Sequence, residues 1–320
     1  MRKRLPLLAA LVLLLALGGS ARALDPQAGT SGAQFLKLGS GARAGGMADS
    51  FSAVSDDASA MYYNPAGLTQ IKGTQIGGAH TSYFQGIKYE TLNLAVPFGE
   101  KTPEFSRHVI GFGIYQLSVS DLERRASDTT DPIGSFGAND GAYSLSYAYS
   151  LDRHLRAGVT GKYINETIDT FKASAYALDA GVLFTPKPDA KTPVTLAAVL
   201  RNWGTRTGFV AGQSDPLPAS MTFGASAFVV PKALRLNVEV VKYRDTALFG
   251  ALGGEWNHPF SDSMSGALRF GYTSERATTP GLNGITAGGG ISFQKMAFDF
   301  AWIPFGVLGD TFRYSLLIKF

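Results

Sequence analysis

The sequence predicts an all-β chain: a transmembrane antiparallel β-barrel of about 14 strands, preceded by a segment that does not alternate. Three observations carry this expectation. From Thr74 onward the 320-residue chain repeats one unit, roughly ten residues of alternating apolar and polar side chains and then a turn. An export signal opens the chain, yet no later stretch approaches the roughly 18 consecutive apolar residues of a membrane-spanning helix. The connections between predicted strands are short and long in turn, as the two rims of such a barrel are.

The first element is the signal. Arg2, Lys3 and Arg4 precede an apolar run from Leu5 to Leu17, then Gly18, Gly19, Ser20 and Ala21-Arg22-Ala23. A basic start, a short apolar core and an A-x-A site define a cleaved secretory signal over residues 1–23, with Leu24 as the mature N-terminus. The absence of cysteine excludes a lipid anchor on cysteine and any disulfide framework. The signal carries four of the 29 Lys and Arg residues, which leaves 25 basic against 25 acidic residues in the remainder. The basic balance therefore belongs to the signal, and no nucleic-acid partner is expected.

Residues 24–73 form the second element. Gly41-Ala42-Arg43-Ala44-Gly45-Gly46-Met47 leads through Ala48, Asp49 and Ser50 to Val54 and Asp56-Asp57-Ala58-Ser59-Ala60. Tyr63-Asn64-Pro65-Ala66-Gly67-Leu68 follows. Asp56 or Asp57 is placed to cap a short helix from Ala58 to Tyr62, which Pro65 and Gly67 would end. Gly39-x-Gly41-x-x-Ala44 matches a loose dinucleotide fingerprint, but that fingerprint needs a βαβ context, and only strand patterns follow.

This run of residues closely resembles the PorV/PorQ family, which belongs with the FadL-like outer-membrane barrels that share an Asn-Pro-Ala element near the N-terminus. Asp49 departs from the pattern, placing a carboxylate where many relatives carry a small residue. The resemblance implies that residues 24–73 fold inside the barrel as a plug, with Gly41, Arg43, Gly45, Gly46, Asp56, Asp57, Asn64, Pro65, Ala66 and Gly67 as its motif. It also implies a role in type IX secretion, binding secreted cargo and passing it to the surface attachment machinery. The alternative within the same group is a channel for hydrophobic small molecules such as fatty acids. A Gly-, Ala- and Ser-rich segment suits such a place, because it packs closely while its backbone polar groups find partners on the wall. Arg43, Asp56, Asp57 and Asn64 are expected to supply some of these bonds.

The third element is the barrel, residues 74–320. The expected strands are 74–84, 87–98, 107–119, 141–150, 153–169, 172–185, 192–203, 219–230, 233–244, 248–258, 263–274, 283–293, 295–303 and 311–320. Most connections after even strands are short, such as Leu151-Asp152 and Pro231-Lys232, and two are longer, near Gly99–Ser106 and Thr185–Lys191. Connections after odd strands include the long Ser120–Gly141 and Gly204–Pro218. This asymmetry puts both termini at the periplasmic rim and the long loops outside. Phe98, Tyr149, Phe184 and Phe320 are expected at the periplasmic rim, and Tyr115, Tyr163, Trp203, Tyr243, Tyr272, Trp302 and Phe312 at the outer one. Arg156, Lys162, Asp179, Arg235, Glu239, Glu255, Arg269, Asp299, Arg313 and Lys319 fall on the inward parity. Such mixed charge suits a wet, internally paired lumen better than an ion-selective pore.

The last strand, Thr311 to Phe320, puts Phe312, Tyr314, Leu316, Ile318 and Phe320 on one face and Arg313, Ser315, Leu317 and Lys319 on the other. It resembles the C-terminal strand of bacterial outer-membrane barrels. Tyr314, Leu316, Ile318 and Phe320 are thus read as an assembly signal, with outer-membrane lipid and the barrel-assembly machinery as partners. No catalytic constellation is found. His80, His108, His154 and His258 are scattered without metal-ligand spacing, Asp56 and Asp57 as neighbours diverge on any regular element, and no cofactor is expected.

Overall fold

The computed structural model describes residues 28–102, 105–128, 130–276 and 284–320. The expected signal, residues 1–23, and its cleavage after Ala23 lie outside the described residues, as does most of the connection 274–283.

The described residues form sixteen strands: β1 Gln75–Ser82, β2 Lys88–Lys101, β3 Ser106–Arg124, β4 Gly134–Ser150, β5 Leu155–Ile168, β6 Phe171–Phe184, β7 Val194–Gly204, β8 Arg206–Val210, β9 Gln213–Pro216, β10 Ser220–Val230, β11 Leu234–Tyr243, β12 Phe249–Pro259, β13 Met264–Thr273, β14 Ile285–Phe293, β15 Met296–Pro304 and β16 Asp310–Lys319. Fourteen of them close an antiparallel barrel in which β1 pairs with both β2 and β16. β8 and β9 form a separate hairpin.

The alternation read from the sequence is the alternation of the wall. Along β6 every second residue from Ala173 to Leu183 is buried, while Tyr176, Leu178, Val182 and Phe184 are exposed. Leu178 is 65% exposed and Phe223 on β10 62%, values that only a lipid surround makes favourable for side chains of this size. Tyr314, Leu316 and Phe320 are likewise exposed on the outer face, with Ile318 half-buried between them.

Twelve barrel strands match the expected spans to within about three residues at each end. β3 and β4 do not, because both run well past the expected ends at 119 and 141. The stretch read as a long loop is mostly ladder, closed by residues 125–133. Ser120, Asp121, Glu123 and Arg124 of β3, and Ser135, Asn139 and Asp140 of β4, put polar groups on both faces, and a strand that is polar on both sides carries no alternation signal. The other expected long connection, 204–218, holds the β8–β9 hairpin, turned at Gly212 with φ of 80°.

Two of the expected rim aromatics face the lumen instead. Tyr115 is 2% exposed and donates to Asn93 Oδ1 at 2.9 Å, and Tyr243 accepts from Arg201 at 3.1 Å. The parity of their own strands requires this, since Tyr115 alternates with outward Ile114 and Tyr243 with outward Lys242. Trp203 does face outward, because a bulge with Asn202 at φ of 57° turns both Arg201 and Asn202 inward and resets the parity.

Candidate functional site

Residues 31–71 are almost wholly buried, and their partners lie around the ring on β3, β5, β6, β11, β12, β14 and β16. Bare stretches of wall make room for them. A methyl group added at Gly158 of β5 would collide with the Pro65 backbone, and one at Gly271 of β13 with the Met47–Ala48 peptide. The core of the segment is aromatic. Phe51 and Tyr63 meet edge to face at 5.3 Å, as do Tyr62 and Tyr63 at 4.8 Å, and Tyr115 of the wall lies 5.7 Å from Tyr62.

The helix occupies Ala60–Tyr63, shorter and later than the expected Ala58–Tyr62, and no side chain caps it. Asp57 instead accepts from the Ser59 amide at 3.0 Å and hydroxyl at 2.6 Å, which ties off the turn before the helix. Asn64 ends that helix and opens the 3-10 turn Pro65–Gln70. Its Oδ1 accepts from Ala66 N at 3.1 Å, and its Nδ2 donates to Ser52 O and to Val182 O on β6, each at 3.1 Å. One amide thus caps a turn, joins two parts of the segment and fastens both to the wall. Only a side chain with both a donor and an acceptor does this. Pro65 fits the first position of the turn, where no amide donor is needed. Ala66 and Gly67 are buried against the wall and against Ser55.

The charges converge on Arg43, which rises from the one-turn helix Ala42–Gly45 after Gly41 at φ of 86°. Its Nη1 donates to Asp56 at 2.6 Å and to Asp57 at 2.9 Å, while Nε and Nη2 grip Glu255 of β12 at 2.8 and 2.9 Å. Glu255 also accepts from Arg269 of β13 at 2.8 Å, Arg269 reaches Asp299 of β15 at 2.7 Å, and Arg235 of β11 holds Asp56 at 2.8 Å. Three guanidinium groups thus meet four carboxylates. Asp56 and Asp57, expected to diverge, share one cation because the backbone there is an irregular turn rather than a helix or strand. Burial works against the charged form of Asp56, but Arg43 and Arg235 outweigh it and pull its pKa down to about 2.

The remaining expected lumen charges sit apart from this network. Arg313 of β16 clasps Asp49 at 2.7 and 3.1 Å, and Tyr63 donates to the same carboxylate at 2.7 Å. The residue that departs from the family pattern is therefore held by a wall arginine. Asp179 of β6 pairs with Lys162 of β5 at 2.6 Å and accepts from the Asn202 amide at 2.7 Å. Glu239 of β11 accepts from the Ser52 amide. Arg156 joins none of these groups. Gly45 and Gly46 pack against Arg313, Ile303 and Gly288. The centre of the network, Glu255, is one of the charges expected on the inward parity. Its inward parity and its register opposite Arg269 were the signal for it.

Toward the rim of short turns, this network lines a polar cavity of about 320 Å³ that also touches Ser40, Asn257, Ser292 and Lys319. Toward the rim of long loops, a cavity of about 60 Å³ lies among Lys37, Tyr62, Arg201, Glu239 and Tyr243. Larger apolar grooves, about 960 and 630 Å³, run over the outer wall of β3–β10 and not through the lumen. Among the described residues no group of His, Asp and Glu is arranged to hold a metal ion.

Residues 22–185 match the family described as type IX secretion system protein PorV. No curated protein matches the chain. Among solved structures, the CymD monoaromatic hydrocarbon channel aligns with a TM-score of 0.59 and 12% identity, over 88% of this chain and 98% of that one. The P. putida toluene transporter TodX aligns with a TM-score of 0.57 and 10% identity, over 88% and 99% of the two chains. At these identities the likeness is one of fold.

Proposed function

The chain belongs to the family of the type IX secretion system protein PorV, and from that premise we propose that this outer-membrane barrel assists export of proteins to the cell surface without catalysing a reaction. The observation that carries the reading is that the family match spans the N-terminal segment together with β1–β6. The same segment is fastened to the wall by a charge network that leaves polar cavities inside. In this reading residues 24–73 act as a plug. The raised β3–β4 ribbon and the β8–β9 hairpin, on the rim of long loops, form the surface on which secreted cargo docks. Outer-membrane lipid and the barrel-assembly machinery are the other partners.

A second reading, a channel for hydrophobic small molecules, draws on the fold shared with CymD and TodX. The charged lining of the lumen cavities favours the first. The test is co-purification from detergent-extracted outer membranes, with bound proteins and lipids both identified. Export cargo recovered with the intact chain, and lost when residues 206–216 and the tip 125–133 are shortened, supports the secretion role. Recovery of apolar small molecules with no secreted protein replaces it with the channel.

A further inference from the structure

We propose that the rim of short turns carries a binding site for a phosphate-class oxyanion, centred on Arg156. Arg156 is the second residue of β5, faces the lumen and is only 7% exposed. Its Nε has no hydrogen-bond partner, and among the described residues no ion pair reaches its guanidinium. Its neighbours on the inner wall differ. Arg235, Arg269, Arg313 and Lys162 each meet a carboxylate at 2.6 to 2.8 Å. A buried cation without a counter-charge is strongly unfavourable, so folds that retain one generally supply a charge from elsewhere. Asp152 acts on Arg156 only through space, because its Oδ1 already accepts the His154 and Leu155 amides at 2.7 and 2.9 Å.

The missing partner has a place. Arg156 lines a cavity of about 200 Å³ together with Arg153, Arg235, Thr185, Thr195 and Ser226, and no carboxylate is among the lining residues. Arg153 is held by Asp189 at 2.6 Å, but that pair is exposed and readily exchanged for another anion. Thr185 and Thr195 share a hydrogen bond of 3.1 Å and keep acceptor or donor capacity for a ligand. The mouth is the turn 185–193, which carries Lys187 and Lys191 against Asp189. The cavity is otherwise walled by apolar groups such as Val54, Pro188, Pro193 and Phe228, and guanidinium forks facing one small cavity match the tetrahedral oxygens of phosphate. The phosphate is either free or borne by a lipid headgroup at this rim, since both present the same oxygens.

The experiment uses the mature chain in an uncharged detergent free of phosphate. Inorganic phosphate is titrated at constant ionic strength, with chloride as control, and followed by calorimetry and by the urea midpoint. Saturable phosphate binding that Arg156→Gln weakens at least tenfold is expected. Without phosphate, the Arg156→Gln midpoint should equal or exceed that of the unsubstituted chain, because an unpaired buried charge has been removed. Ser226→Asp places a carboxylate in the cavity; it should abolish phosphate binding and raise the midpoint, and it serves where Arg156→Gln fails to fold. Repeating the titration in phospholipid nanodiscs separates the sources. Free phosphate still binds if it is the ligand, and fails to bind if a lipid headgroup already occupies the site. The proposal is overturned if phosphate does not bind in detergent, if a folded Arg156→Gln binds it unchanged or has a lowered midpoint, or, where Arg156→Gln does not fold, if Ser226→Asp binds it unchanged.

Discussion

Glu255→Ala tests whether ion pairing holds the N-terminal segment against the wall strands. The carboxylate accepts three bonds from guanidinium groups, two from Arg43 and one from Arg269, and a longer one of 3.3 Å from Asn257, and its side chain is 2% exposed. Removing one partner of a buried ion pair costs about 3–5 kcal/mol, because the other charge is left behind. Arg43 would keep Asp56 and Asp57, and Arg269 would keep Asp299, so the lower end, about 3 kcal/mol, is the expected loss. The barrel ladder does not depend on this contact, so the loss should appear as easier opening of the segment. Hydrogen exchange of amides 42–63 measures that opening directly, and about 3 kcal/mol raises exchange through it by roughly a hundredfold. Arg43→Ala alone should act similarly. The double variant should fall short of the sum of the two by more than about 1 kcal/mol, because both remove the same contact. If the two losses add to within about 0.5 kcal/mol, or if exchange in 42–63 is unchanged, the pair does not hold the segment and the reasoning fails.

Other expectations follow from the same contacts. Asn64→Asp keeps the acceptor for Ala66 but loses the donor to Ser52 O and Val182 O; about 2–4 kcal/mol should be lost from segment stability, read by exchange at residues 52–68. Gly158→Val drives a side chain into the Pro65–Ala66 backbone. Limited proteolysis should then cut within residues 60–71 of a barrel that still resists heat in detergent, whereas protection equal to that of the unsubstituted chain would mean the wall and segment are not in contact there. Asp56 has its folded pKa lowered from 3.8 to about 2. Its contribution is therefore fully present above pH 4 and lost as pH falls towards 2, amounting to about 2 kcal/mol. Urea midpoints measured from pH 6 down to pH 2.5 should fall more steeply for the unsubstituted chain than for Asp56→Asn.

What could be read from the sequence, and what could not, divides along physical lines. Strand positions were legible wherever the outer face meets lipid and the inner face meets polar groups, as on β6, because that contrast writes itself as alternation. It vanished above the membrane, where β3 and β4 are polar on both faces, and there the strands were read as loop. Tyr115 and Tyr243 lie near strand ends, where rim aromatics are expected, but parity alone decides which side a ring faces, and theirs is inward. Arg43, Asp56, Asp57 and Asn64 bond to the wall strands and to one another. Their partners were not legible. Whether Arg43 meets Glu255 or Glu239 depends on how the segment is threaded through the ring, and residues with no periodicity carry no register.

That threading bears on why the segment is held by charges. Arg43 and Glu255 are 212 residues apart in the chain, and Asp49 and Arg313 are 264 apart. β1, which follows the segment directly, pairs with β16 near the chain's other end. The segment cannot find these partners until the last strands are in place, and closing such long loops is favourable only once the ring supplies contacts along its whole length. The wall offers Arg235, Glu255 and Arg313, and the segment meets them with carboxylates and a guanidinium matched in sign and position. Ion pairs are a weak source of net stability but a strong source of specificity, since a shifted thread would leave several of these charges buried and unpaired. The polar lining thus selects a single arrangement of an irregular segment, a task that apolar packing against a smooth wall of Gly and Ala could not perform.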